Sequence, residues 1–188
     1  MLANKTAAKI RGFRLLLHIA ILWYNYLMKK EALNHPFAPI YDKDSRILIL
    51  GTFPSVKSRA NEFYYGHPQN RFWQLLAVVF RADIPQNIEE KKAFLLEHNI
   101  ALWDVLASCE IVGSADSSIS APVVNDLTSI LKNGKIEAIY TNGKKAKELY
   151  DKYIYPKIKI KAQALASTSP ANRRFSMAEL ITEWEKIK

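Results

Sequence analysis

Two stretches of this 188-residue chain gather the residue types that do chemistry. GTFPSVKSRANEFYYGHPQNRFW, residues 51–73, carries Phe53, Phe63, Tyr64, Tyr65, His67 and Asn70 on what reads as a loop between a strand and a helix. STSPANRRF, residues 167–175, carries hydroxyls, an amide and two arginines. Aromatic rings on a loop offer flat faces, and stacking a nucleobase on such a face is worth about 1–3 kcal/mol. His67 offers an imidazole. Asn70 offers a neutral amide that orients a water or a ligand without taking its proton.

Each of these residues alone has a plain structural reading. His67 reads as a loop hydrogen-bonding group, Asn70 as a cap or surface amide, and Ser167, Thr168 and Ser169 as turn chemistry. Phe72 and Trp73 recur with Leu76, Val79 and Phe80 at helical spacing and read as core. For Phe53, Phe63, Tyr64 and Tyr65, core satellite and ligand pocket stand about even.

The elements that must position these loops alternate. Arg46 to Leu50 reads as a buried strand, and Pro68 as the first residue of a helix. A second helix is expected over Ile88 to His98, a strand over Ile100 to Leu106, and a Ser-rich loop over Gly113 to Pro122. A short helix over Asp126 to Lys132 precedes a strand over Ile136 to Tyr140. Thr141-Asn142-Gly143 reads as a turn and Lys144 to Tyr155 as a helix. Ile158 to Ala164 alternates as a half-exposed strand does. Ser176 and Glu179 form a capping box for a closing helix that buries Met177, Leu180, Ile181, Trp184 and Ile187. Strands separated by helices predict one α/β domain, a three-layer α/β/α sandwich on a mainly parallel sheet. In such sheets ligands bind beyond the carboxyl ends of the strands, where both loops fall.

Composition narrows the partner. Lys and Arg number 27 against 18 Asp and Glu, a formal charge of +9, which attracts polyanions. Four of the basic residues precede residue 28; without them the balance is 23 against 18, or +5. Residues 1–27 imitate a signal peptide or short anchor. Their apolar run is broken by His18 and Asn25, falls short of the roughly 20 residues of a span, and lacks a small-residue cleavage site. They read as an extension, helical and amphipathic or translated from upstream of Met28, ahead of a domain over 28–188, and no membrane is expected as a partner. A single Cys109 excludes an intramolecular disulfide framework, a four-cysteine zinc site and a cysteine-ligated iron–sulfur cluster, and fits a reducing cytoplasm. His18, His35, His67 and His98 do not pair at metal-ligand spacing. No G-x-S-x-G elbow surrounds a serine, and Gly143-Lys144 lacks the spacing of a phosphate loop.

GTFPS followed by FYYGHPQNRFW, with STSPANRRFS near the end, resembles the uracil-DNA glycosylase superfamily, and within it the hypoxanthine (deoxyinosine) glycosylase group. The resemblance covers the chain from about Met28 to its end. It implies a four-stranded parallel sheet between helices, a monomer, and cofactor-free hydrolytic removal of a deaminated base from DNA, with the nucleotide flipped out of the stack. Gly51, Thr52, Phe53, Pro54 and Ser55 then floor the base pocket with Phe63, and Tyr65 stacks on the base. Ser167, Thr168, Ser169, Pro170, Ala171, Asn172, Arg173 and Arg174 press into the duplex. The third residue of the first motif is a water-positioning Asn in mismatch-specific uracil glycosylases and an Asp in the main uracil enzymes. Here it is Phe53, which does neither. The resemblance assigns the polar role to Asn70, with His67 as a helper. Two other readings remain: a mismatch-specific uracil glycosylase, against which Phe53 argues, and a non-catalytic binder of damaged DNA.

Overall fold

A computed structural model describes residues 30–188, so the reading of residues 1–27 and of a domain start at Met28 lies outside the described residues. In chain order the elements are β1 (Glu31–Asn34), β2 (Ile47–Gly51), α1 (Val56–Ala60), α2 (Phe72–Phe80), α3 (Ile88–Glu97), β3 (Ile100–Asp104), β4 (Leu106–Ile111), β5 (Ser120–Val124), α4 (Thr128–Asn133), β6 (Ala138–Asn142), α5 (Lys144–Tyr153), α6 (Tyr155–Ile158), β7 (Ala162–Leu165) and α7 (Met177–Trp184). Single 3₁₀ turns lie at Asp116–Ser118 and Glu185–Ile187.

Because successive side chains of a strand point to opposite faces, the continuous apolar run of β2 demands cover on both. Ile49 enters one core with Phe72, Leu75, Leu76 and Val79 of α2, Leu95 of α3 and Leu180 and Trp184 of α7. Leu48 and Leu50 enter the other with Ile130 of α4, Ala146, Leu149 and Tyr150 of α5, and Leu106 and Ile111 of β4. The result is the expected three-layer sandwich, with a parallel sheet in the order β3-β2-β6-β7. The closing helix α7 has its capping box: Glu179 N donates to Ser176 Oγ at 3.3 Å, and Ser176 N donates to Glu179 Oε2 at 2.7 Å.

Several local expectations are corrected. The stretch Ile100 to Leu106 is two strands, because Val105 leaves the parallel sheet and the chain continues as β4. The Ser-rich loop holds a 3₁₀ turn and β5, and β1-β4-β5 form a separate antiparallel sheet. The alternation at Ile158 to Ala164 is strand only from Ala162. Pro156 suits the first turn of α6, and Lys159, left-handed at φ 60°, ends it. Likewise β6 runs two residues past Tyr140, to Asn142. Pro68 opens no helix: Asn70 N donates to His67 O at 2.8 Å in a turn, and α2 starts at Phe72. Among the described residues no helix is long and apolar enough to cross a membrane.

Candidate active site

All four parallel strands end on one side, at Gly51, Asp104, Asn142 and Leu165. Beyond these ends lies a cavity of about 960 Å³, large enough for a purine with its sugar. Thr52, Phe53, Pro54, Ser55, Tyr65, His67 and Asn70 line it from the first loop, and Ser167 to Asn172 with Arg174 from the second. The two predicted loops thus meet.

The side chains at the mouth are already partly engaged. Asn70 Oδ1 accepts from Phe72 N at 3.0 Å, so from just ahead of the N-cap Arg71 it satisfies the first backbone donor of α2, and its Nδ2 is the end left over for a ligand. Gln69 N donates to His67 Nδ1 at 3.1 Å, which leaves Nε2 as the imidazole's second site. Ser55 caps α1 through Ser58 N. Thr52 Oγ1 donates to Asp116 Oδ2 at 3.1 Å; burial raises the Asp116 carboxyl above the usual range, with the Thr52 bond pulling the other way.

Tyr65 sits at φ 54°, in the left-handed region that a bulky residue rarely occupies. One ring face lies on Phe72, centroids 3.9 Å apart, so the other face alone is open to stacking. Its hydroxyl is buried and makes no well-aligned hydrogen bond among the described residues, although the Asn142 side chain stands near enough to act on it. Burial foremost, then the charge of Asp104, keeps that hydroxyl neutral, countered in part by the Asn142 amide.

The second loop is held from two sides. Asn142 Oδ1 accepts from Thr168 N at 3.0 Å and Asn142 Nδ2 donates to Thr168 Oγ1 at 2.9 Å, all buried. Arg71 donates through Nη1 to Phe175 O at 2.6 Å and through Nη2 to Asn172 O at 2.7 Å. Arg173 and Arg174 stay exposed.

Beneath the first loop lies a buried pair that the sequence does not announce. His35 Nε2 donates to Asp104 Oδ2 at 2.8 Å, with both side chains under a tenth exposed. The rings of Phe37, Phe53, Tyr64 and Trp103 surround the imidazole, centroids 5.6–6.3 Å away. Phe53 therefore both faces the cavity and covers this pair.

Two residues expected in the pocket lie elsewhere. Phe63 is 7% exposed and stacks on Trp73 in the core, because the left-handed turn at Glu62 points it inward. Gly51 lies behind the pocket wall, where a Cβ would stand 2.1 Å from Asp104 Oδ1. Conversely, sequence reasoning misses His35, Arg71, Asp104, Asp116 and Asn142. Arg71 lay inside the HPQNRFW motif, and Asp104 ends an apolar run as its one charge; each signal was there to weigh. Among the described residues no three His, Cys, Asp or Glu side chains are grouped to hold a metal ion.

Comparison with known proteins agrees with this fold. The model of the uracil DNA glycosylase superfamily matches residues 38–188. The chain belongs to that superfamily. It is 37% identical over 153 residues to a protein of Methanosarcina acetivorans named hypoxanthine DNA glycosylase, covering 80% of this chain and 95% of that one. A protein of the same name from Methanosarcina barkeri is 35% identical over 150 residues, covering 78% and 90%. The solution NMR structure of a candidate uracil DNA glycosylase from M. acetivorans superposes with a TM-score of 0.69 at 31% identity, covering 84% of this chain and 99% of that one. The superfamily resemblance read from the motif loops is borne out.

Proposed function

We propose that the chain is a monofunctional DNA glycosylase that hydrolyses the N-glycosidic bond of deaminated nucleotides, foremost hypoxanthine in deoxyinosine. It acts on DNA as a monomer in the cytoplasm, without metal or cofactor, through a domain that needs none of residues 1–27. The carrying observation is at the cavity mouth. Where the resembling uracil enzymes hold a water-positioning residue this chain has the hydrocarbon ring of Phe53, and of the lining amides Asn142 and Asn172 spend their Nδ2 on Thr168 Oγ1 and Ser167 O, which leaves Asn70. The names of the relatives at 37% and 35% identity support the choice of base.

The duplex meets Arg173 and Arg174, exposed beside the second loop, through its phosphates. Ser167 to Asn172, stiffened by Arg71 and Asn142, fills the gap left when the nucleotide flips, at a cost of a few kcal/mol that is lowest for a mispaired base. The C1′–N9 bond then breaks with its electron pair on the base, leaving a cation-like sugar. Asn70 Nδ2 orients a water whose oxygen bonds C1′; the water's proton passes to solvent and the base is released. A neutral amide suffices because the cation needs a positioned nucleophile more than a strong base. His67, which lines the same cavity, is the helper that holds this water through Nε2.

Incubation with a duplex containing deoxyinosine should release free hypoxanthine and leave alkali-labile strands. Parallel duplexes bearing uracil or xanthine rank the bases. Binding to an abasic site with no base released would make the chain a damaged-DNA binder. The proposed chemistry uses water and no lysine nucleophile, so borohydride should trap no covalent adduct; trapping would point to Lys57, Lys144 or Lys145, which line the cavity.

A further inference from the structure

The tip of the β4–β5 hairpin reaches the cavity from outside both motif loops, and it carries a carboxyl that the mechanism above leaves idle. Ser114, Asp116 and Ser117 line the cavity there. The tip is fastened to the first loop at two points: Val56 N donates to Ser114 Oγ at 2.9 Å, and Thr52 Oγ1 donates to Asp116 Oδ2 at 3.1 Å. It is also closed on itself, because Ser118 Oγ donates to Ala115 O at 2.7 Å and accepts from Val112 N at 2.9 Å. Asp116 is therefore held in place in the cavity wall, bonded to the residue that precedes Phe53.

Thr52 occupies Oδ2 only, and among the described residues Oδ1 makes no hydrogen bond. The titratable groups that face this carboxyl are Asp104 at the end of β3, Tyr65 from the first loop, Cys109 on β4 and Lys145 on α5. Burial is the largest influence on Asp116 and favours the neutral acid; the charge of Asp104 acts in the same direction, while the Thr52 bond and Lys145 oppose. Burial likewise keeps the Tyr65 hydroxyl and the Cys109 thiol neutral. A neutral carboxyl whose Oδ2 accepts from Thr52 carries its proton on Oδ1, the oxygen without a protein partner. Such a group is a proton donor waiting for a ligand atom.

Breaking C1′–N9 leaves an electron pair on the departing base, and a purine leaves far more readily as a neutral molecule than as an anion. We propose that Asp116 is the general acid of the reaction, giving its Oδ1 proton to the imidazole nitrogen N7 of the purine as the C1′–N9 bond breaks. The electron pair of that bond flows into the imidazole ring, hypoxanthine departs neutral, and Asp116 is left as a carboxylate that takes a proton from solvent before the next turnover. Asn70 and Asp116 then divide the work: one orients the water at C1′, the other discharges the leaving base. The acid also gives the site a purine bias, since uracil has no N7 to receive the proton. The proposal rests on the glycosylase reading and supplies its leaving-group step.

The test is the single-turnover rate of hypoxanthine release from a deoxyinosine duplex, with protein saturating, followed between about pH 5 and about pH 9. The wild-type rate should hold a plateau at low pH and fall about tenfold per pH unit above the folded-state value of Asp116, as the acid form disappears. Asp116→Asn keeps the size and polarity of the side chain but has no proton to transfer. It should be slower on the plateau by about 10²-fold or more, and the falling limb should be gone. A wild-type rate that stays level across the range would overturn the proposal even if the variant failed to fold. So would a wild-type rate that rises with pH, the mark of a carboxylate that takes the water's proton. A folded Asp116→Asn that keeps the limb, or stays within about tenfold of wild type on the plateau, would overturn it as well. Absence of any hypoxanthine release at every pH would strike the glycosylase reading itself, a different result.

Discussion

Arg71 Nη1 donates to the carbonyl of Phe175 at 2.6 Å, a contact that spans 104 residues and ties the start of α2 to the far end of the second loop. The same guanidinium reaches Asn172 O at 2.7 Å, and the Arg71 backbone N–H reaches Thr168 O at 3.1 Å. The residue after Asn70 therefore sets the distance between the candidate water-orienting amide and the loop proposed to meet the duplex.

Arg71→Ala should accordingly lower the melting temperature, by the loss of charge-assisted bonds worth about 2 kcal/mol, and slow excision of a paired hypoxanthine more than of one in a single strand. Arg71→Lys should recover little, because an ammonium cannot span both carbonyls as the planar fork does. Melting curves with single-turnover rates on the two substrates check this; equal slowing on both would detach Arg71 from base extrusion.

What was legible in the sequence was what is contiguous in it. Residues 51–55, 64–70 and 167–174 carry their own turn and aromatic signatures, and the apolar period of β2 and α2 places them at one sheet edge. His35 and Asp104 are 69 residues apart; Asp104 closes an apolar strand and His35 has no local pattern, so only the folded chain brings the two together. Phe63 and Tyr65 could not be separated because a loop has no period to say which ring turns inward; left-handed residues at 62 and 65 decide it. The antiparallel sheet has no such signature: β1 is only Glu-Ala-Leu-Asn, largely exposed, and β5 contains Pro122, both poor strand signals.

Asp116 gives a pH signature. Burial, its largest influence, raises its carboxyl above the ordinary 3.8. A raised folded-state value means the neutral acid is preferred in the native protein. Its contribution is fully present below the unfolded value and is lost as pH rises through the folded one. Asp116→Asn does not titrate, so its melting temperature relative to wild type should rise as pH climbs from about 4 through the raised folded-state value. A difference that stays flat over that interval would place Asp116 in contact with solvent.

Arg173 and Arg174 test the duplex face. Both are exposed, and Arg174 lies over the Phe175 ring at 6.0 Å, on the loop that Arg71 holds. Replacing either by Ala should weaken binding to damaged and undamaged duplex alike and reduce the slope of log affinity against log salt by about one unit. Titrations at several salt concentrations supply the slope, and an unchanged value would put that arginine away from the DNA.

Asn70 carries the chemistry in the proposed mechanism, and the structure gives it a second task that must be separated from the first. Its Oδ1 caps α2 through Phe72 N. Asn70→Ala should therefore lose about 1 kcal/mol of stability with the cap, and about 10²-fold or more in single-turnover excision with the preorganised donor. Asn70→Asp divides the two. A carboxylate keeps the acceptor for Phe72 N, and its charge suits a helix start, so the melting temperature should hold. It offers no N–H to a water or a leaving base, so the rate should fall as far as in the Ala variant. Duplex affinity should change little in the Ala variant, because phosphate contacts dominate it. Near-normal turnover by a stable Asn70→Asp would reduce the residue to a helix cap and move the water elsewhere in the cavity.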